Sequence, residues 1–357
     1  MEKMVDHSFW RNKKVFLTGH TGFKGTWLSI ILDSLGANVS GYSLAPISNP
    51  SFFDAVKKNL NITSYIGDIR DYINFQEKIN YVNPEVIIHL AAQPLVRLSY
   101  DDPVETYETN VLGLVNLLDI SKNLKSLRVV LNVTSDKCYE NNERDHGYQE
   151  SDRLGGYDPY SNSKACAELV TASFRQSFFE KSNIGLASAR AGNVIGGGDW
   201  SQDRLIPDFI RAQQSDKSLQ IRNPKAIRPW QHVIEPLVGY LLLCEKLYTN
   251  PKKYSEAWNF GPSDLGVMNV ESVIQEMQAN INKSVDVNYN RDEIKHEASL
   301  LKLDVSKVRK QLQWKSLLSF KDTIKLTLDW YENYYANKNI YQYSQSQLQK
   351  YFKLIGR

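Results

Sequence analysis

One short stretch limits the fold of this chain more than any other. Lys14-Val-Phe-Leu-Thr18 is a β-rich run that stops at Gly19, and glycines recur at 22 and 25. Thr26 to Leu35 then takes up helical spacing of Leu and Ile as far as Gly36. A strand, a tight glycine turn and an amphipathic helix in direct succession form the first half of a βαβ unit. Glycine is needed where the backbone turns sharply and where a pyrophosphate must approach main-chain N–H groups at a helix N-terminus. Alone, GxxGxxG is often just a tight turn. Placed between a strand and a helix, it reads as a dinucleotide-binding loop.

The rest of the first half repeats the pattern. Asn38-Val-Ser-Gly-Tyr42 is a second strand, and a third ends before Gly67-Asp68-Ile69. Val86-Ile-Ile-His-Leu90, Arg128 to Val133 and Ile184 to Ala189 are apolar runs of the kind buried on both faces of a sheet. Helical segments, notably Val104 to Lys122 and Ser161 to Phe179, lie between them. The fold class expected is therefore α/β: a Rossmann-type, doubly wound parallel sheet with right-handed crossovers. Such a sheet puts its ligand at the carboxyl ends of its strands, here Gly19, Ala91, Thr134 and Ala191.

After about Ala191 the periodicity loosens. Gly196-Gly197-Gly198, Arg222-Asn-Pro-Lys and Arg228-Pro-Trp-Gln-His mark loops, while Val270 to Ile281 and Phe320 to Tyr331 are helical in period. The division expected is a dinucleotide-binding domain over 1–190, a smaller interleaved substrate-binding lobe over 191–335 and a tail over 336–357. Trp258-Asn-Phe260, in the segment 255–262, is expected to complete the sheet. The tail is rich in Tyr, Gln, Asn and Lys and shows no obvious core face.

Composition excludes several classes. The formal charge of +3 is spread without a basic block, which argues against nucleic acid. Cys138, Cys166 and Cys244 are far apart and not in metal-ligand spacing, so they read as reduced thiols, with no metal. The polar first residues do not resemble a signal peptide, and the apolar run Leu237 to Cys244 is too short to span a bilayer. A cytoplasmic protein without a membrane partner is expected.

The chemistry lies in two further stations. Tyr160 and Lys164 stand at i and i+4 on one helix face. A phenol has a pKa of about 10, and bringing it to about 7 takes roughly 4 kcal/mol of differential interaction. An adjacent ammonium and a cationic nicotinamide ring both act in that direction. The phenolate can then take a proton from a substrate hydroxyl while hydride leaves the same carbon. Thr134-Ser-Asp-Lys137 follows the strand ending at Val133 and should open beside Tyr160. Ser135 can hydrogen-bond the same hydroxyl; Asp136 and Lys137 add an acid/base pair that a simple alcohol dehydrogenase would not need. At the adenosine end, Tyr42-Ser43-Leu44 offers neither carboxylate nor arginine, which leaves NAD against NADP open. Asp68 reads equally well as an adenine acceptor or a turn carboxylate.

These stations together resemble the extended short-chain dehydrogenase/reductase family over nearly the whole chain. Ser135, Tyr160 and Lys164 look like its catalytic set. Ser135-Asp136-Lys137 is similar to the Thr-Asp-Glu element of its sugar-nucleotide 4,6-dehydratases, with lysine in place of glutamate. That variant resembles the branch acting on CDP-glucose, as do Gly19 to Gly25, Gly192-Asn-Val-Ile-Gly-Gly-Gly-Asp-Trp200 and His296-Glu-Ala. The resemblance implies NAD as cofactor, held by Gly19, Thr21, Gly22, Phe23, Lys24 and Gly25, by Tyr42, Asp68 and Ile69, by Leu90, Ala91 and Ala92, and by Tyr160 and Lys164. It implies CDP-glucose as substrate, contacted by Asn193, Arg204, Leu205, Arg228 and His296, with Asp136 as acid and Lys137 as base. It further implies a homodimer or homotetramer through the helix pair 104–122 and 161–179, with Tyr107, Val111, Leu114 and Leu118 as extra apolar residues. A 4-epimerase on the same fold would need Ser135, Tyr160 and Lys164 but not Asp136-Lys137. A dinucleotide sensor without catalysis would need no Tyr/Lys pair at all.

Overall fold

The computed structural model describes residues 5–221, 223–262, 266–281, 283–289 and 301–356. Its centre is a sheet of seven parallel strands: β1 (Lys14–Thr18), β2 (Asn38–Ser43), β3 (Thr63–Ile66), β4 (Val86–His89), β5 (Val129–Val133), β6 (Gly185–Ala191) and β7 (Ala257–Phe260). The spatial order is β7-β6-β5-β4-β1-β2-β3. Strand order reverses between β1 and β4, which pair directly with Val15 opposite Val86. That reversal opens a crevice at the strand ends, where doubly wound sheets bind ligands.

Every residue of β4, β5 and β6 is buried. Helices cover both faces, so these strands need no polar alternation. Two separate cores result. One holds Val15, Leu17, Ile88 and Leu131 with Trp27 and Leu237; the other holds Phe16, Ile87 and Val130 with Leu114, Leu117 and Leu118. Alternate residues of one strand thus feed opposite cores, as the period of two requires.

Helix α1 (Phe23–Ser34) follows the glycine loop. The helical stretch after β4 comprises Pro103–Tyr107, a π-helical turn Glu108–Leu112 and Gly113–Ser121. Helix α2 (Pro159–Phe174) starts where Asp158 accepts from the Ser161 N–H and Pro159 takes the first helical position. It carries Tyr160 and Lys164 and packs on the 103–121 stretch. Here the expected oligomer residues need correction. Leu114 and Leu118 are fully buried within the chain, whereas Val104, Leu112, Leu169 and Phe178 are the large apolar side chains exposed on this helix pair.

Beyond β6 lie α3 (Leu205–Ser215), α4 (Ile234–Thr249), α5 (Phe320–Tyr335) and α6 (Ile340–Ile355), with three two-stranded pieces between them. The run Leu237 to Cys244 belongs to α4, buried against β5 and β6. The tail differs from expectation. Asn339 caps α6 by accepting from the Gln342 N–H, and Ile340, Leu348, Tyr351 and Ile355 form a buried face. That face packs on α1 and α5, with Tyr341 donating to Asp33 at 2.7 Å. Its polar composition hides an apolar stripe at helical spacing. Among the described residues no helix is long and apolar enough to cross a membrane, and no cluster of His, Cys, Asp and Glu could hold a metal.

Candidate active site

The glycine loop is built around contact distances that a side chain would violate. Gly19 adopts φ +75°, and a Cβ there would stand 2.7 Å from the Ala91 nitrogen. At Gly25 a Cβ would meet the Gly19 carbonyl oxygen at 2.0 Å. The loops after β1 and β4 therefore touch at the point of strand reversal. Thr18 Oγ1 accepts from the Leu90 and Ala91 N–H groups at 3.1 and 3.2 Å, fixing that junction. The N-terminus of α1 begins at Gly22 without a side-chain cap, so its first N–H groups, those of Phe23, Lys24 and Gly25, have no helical acceptor. They point where a phosphate would be stabilised.

Sequence reasoning missed His20. Its ring fills the space that any side chain at Gly41 would need, with a Cβ there only 2.3 Å from it. Nε2 bonds Ser64 Oγ at 2.7 Å, and burial moves the imidazole down to about 4, so it stays neutral.

The adenosine end is arranged differently from the sequence expectation. Tyr42 is buried between Phe16 and Phe75, and its hydroxyl donates to the Asp68 carbonyl at 3.2 Å. Its side chain belongs to the core, leaving only backbone for a ligand. Asp68 is engaged by Arg70, with Nη2 2.6 Å and Nε 2.9 Å from Oδ2. Burial opposes its ionisation, but the Arg70 bonds and charge outweigh it and hold Asp68 below its ordinary value. Ile69 is buried against Gly113. The Ser43 hydroxyl bonds Thr21 at 2.8 Å. Ala92 follows β4 in the loop beside Gln93, whose N–H donates to Asn110 at 2.9 Å.

At the other end, Ser135, Asp136, Lys137 and Tyr160 line one cavity of about 1350 Å³. Asn193, Arg204, Leu205 and Arg228 line it too. Most small-ligand sites run to roughly 300–1,000 Å³, so an elongated diphosphate-bridged molecule fits here. Ser135 caps the short turn Asp136–Cys138, accepting from the Lys137 N–H at 3.2 Å and donating to Asp136 Oδ1 at 3.0 Å. The Lys137 ammonium lies 5.8 Å from the centre of the Tyr160 ring. Arg204 is fixed by Asp199 at 2.9 Å. His296 lies outside the described residues.

The electrostatics separate these groups. Burial pushes the Tyr160 phenol up to about 12, against the pull of Ser135 and Arg204. Burial lowers Lys164 to about 8, helped by the Lys24 charge. Asp136 is raised by burial, which outweighs Lys137, Ser135, Arg228 and Lys24. Of the two influences expected to favour the phenolate, the protein's own positive charges do not by themselves overcome burial. Moving the phenol from about 12 to about 7 would take ~7 kcal/mol, which must arrive with bound positive charge.

Behind the cavity lies a network that sequence reasoning missed. Glu168, one turn beyond Lys164, accepts from Thr134 at 2.5 Å, Ser188 at 2.7 Å and Arg190 at 2.7 Å. Arg190 also donates to the Tyr139 hydroxyl at 2.7 Å, which donates to Asn259 on β7 at 2.7 Å. Helix α2 is thereby tied to β5, β6 and β7. The spacing 160, 164, 168 was the signal that could have revealed it.

Comparison with known proteins agrees with this architecture. A family profile described as GDP-mannose 4,6 dehydratase matches residues 16–327. The chain is 46% identical to a CDP-glucose 4,6-dehydratase of Salmonella typhimurium, over 99% of this chain and 100% of that protein. A UDP-glucose 4-epimerase of Thermotoga maritima shares the fold at TM-score 0.76 and 20% identity, covering 90% of this chain and 99% of that one. So does a dTDP-glucose 4,6-dehydratase of Bacillus anthracis in complex with NAD, at TM-score 0.75 and 19% identity, covering 89% and 96%. With sheet, glycine loop and catalytic cavity all accounted for along its length, the chain belongs to the GDP-mannose 4,6-dehydratase family.

Proposed function

We infer that this chain converts CDP-glucose to CDP-4-keto-6-deoxyglucose and water, using NAD in a redox-neutral cycle. The observation that carries this reading is the opening of the Asp136-Lys137 pair into the same cavity as Tyr160, in a chain so similar to a CDP-glucose 4,6-dehydratase. The 4-epimerase reading leaves that pair without work.

The residues present fit a dinucleotide. The α1 N-terminus is uncapped, Gly25 leaves no space for a side chain, and Lys164, buried on α2, has no hydrogen bond or ion pair among the described residues. Phe23, Lys24 and Gly25 would hold the pyrophosphate through main-chain N–H groups, and Lys164 would meet the nicotinamide ribose. When bound, NAD supplies the hydride acceptor for C4 and the donor for C6. Tyr160 takes the proton of the 4-hydroxyl, with Ser135 bonding the same oxygen. Burial in the free site resists that proton transfer, and a bound cationic ring would favour it. The new 4-ketone acidifies C5–H, and Lys137 removes that proton. Asp136, kept toward its protonated form by burial, delivers a proton to the departing 6-hydroxyl. Free Asp and Lys favour the ionised pair by about 6.5 pK units, roughly 9 kcal/mol. Burial opposes that preference at Asp136, and the pair is expected to titrate as one unit. Arg204 and Arg228 suit the diphosphate because their forks are bidentate and permanently charged.

The product is a deoxysugar precursor, with surface polysaccharide such as O-antigen as its destination and the cytoplasm as its compartment. The exposed apolar residues of the 103–121 stretch and α2 are the surface for a homo-oligomer.

The test is incubation of purified protein with CDP-, UDP-, GDP- and dTDP-glucose, reading the absorbance of the 4-keto sugar in base. Absence of that chromophore with CDP-glucose, or a galactose epimer as product, overturns the reading. For Lys137, C5 hydrogen exchange in single turnover should fail in Lys137→Ala; unimpaired exchange counts against its role as base.

A further inference from the structure

Three consecutive carbonyls in the loop before α3 are each taken by a helix side chain. Tyr331 of α5 donates its hydroxyl to the Asp199 carbonyl, and Arg211 of α3 donates to those of Trp200 and Ser201, both at 3.0 Å. Two residues before Asp199, Trp27 of α1 donates to the Gly197 carbonyl at 2.9 Å. Gly197 to Trp200 are buried but belong to no strand or helix, so side chains supply the partners that their backbone needs. A Cβ at Gly197 would stand 2.0 Å from the Trp330 ring, so the loop lies flat on α5.

Tyr331 is 1% exposed and stands edge-on to Trp200 and Trp330. Among the described residues, the Asp199 carbonyl is the one hydrogen-bond partner of its hydroxyl. A phenylalanine would fill the same space; the hydroxyl adds only the bond to the loop. From that same residue the Asp199 carboxylate accepts the Ser201 N–H at 3.0 Å and Arg204 Nη1 at 2.9 Å. Arg204 lines the cavity with Tyr160. With one nitrogen anchored, the rest of its planar fork is left to the cavity.

We propose that Tyr331 is a positioning residue for the substrate, holding the Asp199 backbone so that the Asp199 carboxylate aims Arg204 at the diphosphate. The inference rests on the functional reading above, in which Arg204 meets that group. An unanchored arginine keeps its rotamer freedom until a ligand binds; anchoring it beforehand moves that cost from binding to folding. Tyr331 does not itself line the cavity. Its hydroxyl therefore acts on substrate affinity and leaves the groups that move protons in place.

The test is a double-mutant cycle on CDP affinity by calorimetry, with Tyr331→Phe, Arg204→Met and the two combined. Tyr331→Phe should weaken CDP binding about fivefold, the scale of one net hydrogen bond, and should add nothing in the Arg204→Met background. In turnover of CDP-glucose it should raise KM by the same factor, with kcat within about twofold of wild type. Asp199→Asn should likewise change CDP affinity only while Arg204 is present. Tyr334→Phe, in the same aromatic cluster but without a bond to the loop among the described residues, should leave CDP affinity and KM unchanged. Effects of Tyr331→Phe and Arg204→Met that multiply would put the two on separate routes to the ligand and overturn the inference. A lowered urea midpoint with unchanged CDP affinity would make Tyr331 purely structural and do the same. Wild-type protein that binds CDP but forms no 4-keto sugar overturns the functional reading instead, and the affinity cycle still decides the role of Tyr331.

Discussion

Removing the carboxylate of Glu168 should damage both stability and catalysis. Glu168 and Arg190 are each 3% exposed and meet at 2.7 Å. Glu168→Gln strands the Arg190 charge in the core, and the hydroxyls of Thr134 and Ser188 lose an ionised acceptor. Breaking one partner of a buried pair typically costs about 3–5 kcal/mol. That is a large share of the ~5–15 kcal/mol by which a domain is stable. The assay is urea unfolding followed by tryptophan fluorescence, with Glu168→Met, Arg190→Met and Glu168→Met/Arg190→Met forming a double-mutant cycle beside Glu168→Gln. The double variant should recover most of the loss, since the single variant's penalty is mainly an uncompensated charge. The pH dependence has a definite sign. Burial alone would raise the Glu168 pKa, but Arg190 and the hydroxyl donors outweigh it, so the folded value lies below the ordinary one. Its contribution is therefore complete above the unfolded pKa of about 4.3 and is lost as pH falls through the lower folded value. The gap between wild type and Glu168→Gln should narrow in acid. A variant within about 1 kcal/mol of wild type at pH 7 would refute the reasoning, since it would fall short of even the weakest buried pair.

Three other outcomes can be checked directly. Tyr160→Phe should lower turnover by at least about 10²-fold, the scale of lost general acid–base catalysis, while cofactor affinity by titration stays near wild type. Gly25→Ala must displace the Gly19 carbonyl, 2.0 Å from the new Cβ, so NAD affinity should fall steeply in calorimetry while circular dichroism shows the sheet intact. If the 103–121 stretch and α2 form the oligomer surface, Leu112→Lys/Leu169→Lys should sediment as a monomer; an unchanged coefficient would move the contact elsewhere.

The apolar runs at 86–90, 128–133 and 184–189 were legible as strands because a sheet covered on both faces needs continuous hydrophobicity. Tyr160 and Lys164 were legible because four residues are one helical turn. The tail was not, since the face that α6 buries itself carries Ser344 and Gln347 among its apolar residues. Leu114 and Leu118 were misassigned to an outer surface for a related reason: an apolar helix residue does not announce which of two cores it serves.

Local chain chemistry determined the strand–glycine–helix start, the parallel sheet and the types of group available for catalysis, because backbone sterics and side-chain period act over a few residues. Proton affinities and partners were decided only by packing. Burial carries the Tyr160 phenol to about 12, Arg70 takes the Asp68 carboxylate, and Lys24 is turned into the catalytic chamber. These depend on which charges and how much water surround a group, and strands far apart in sequence set both.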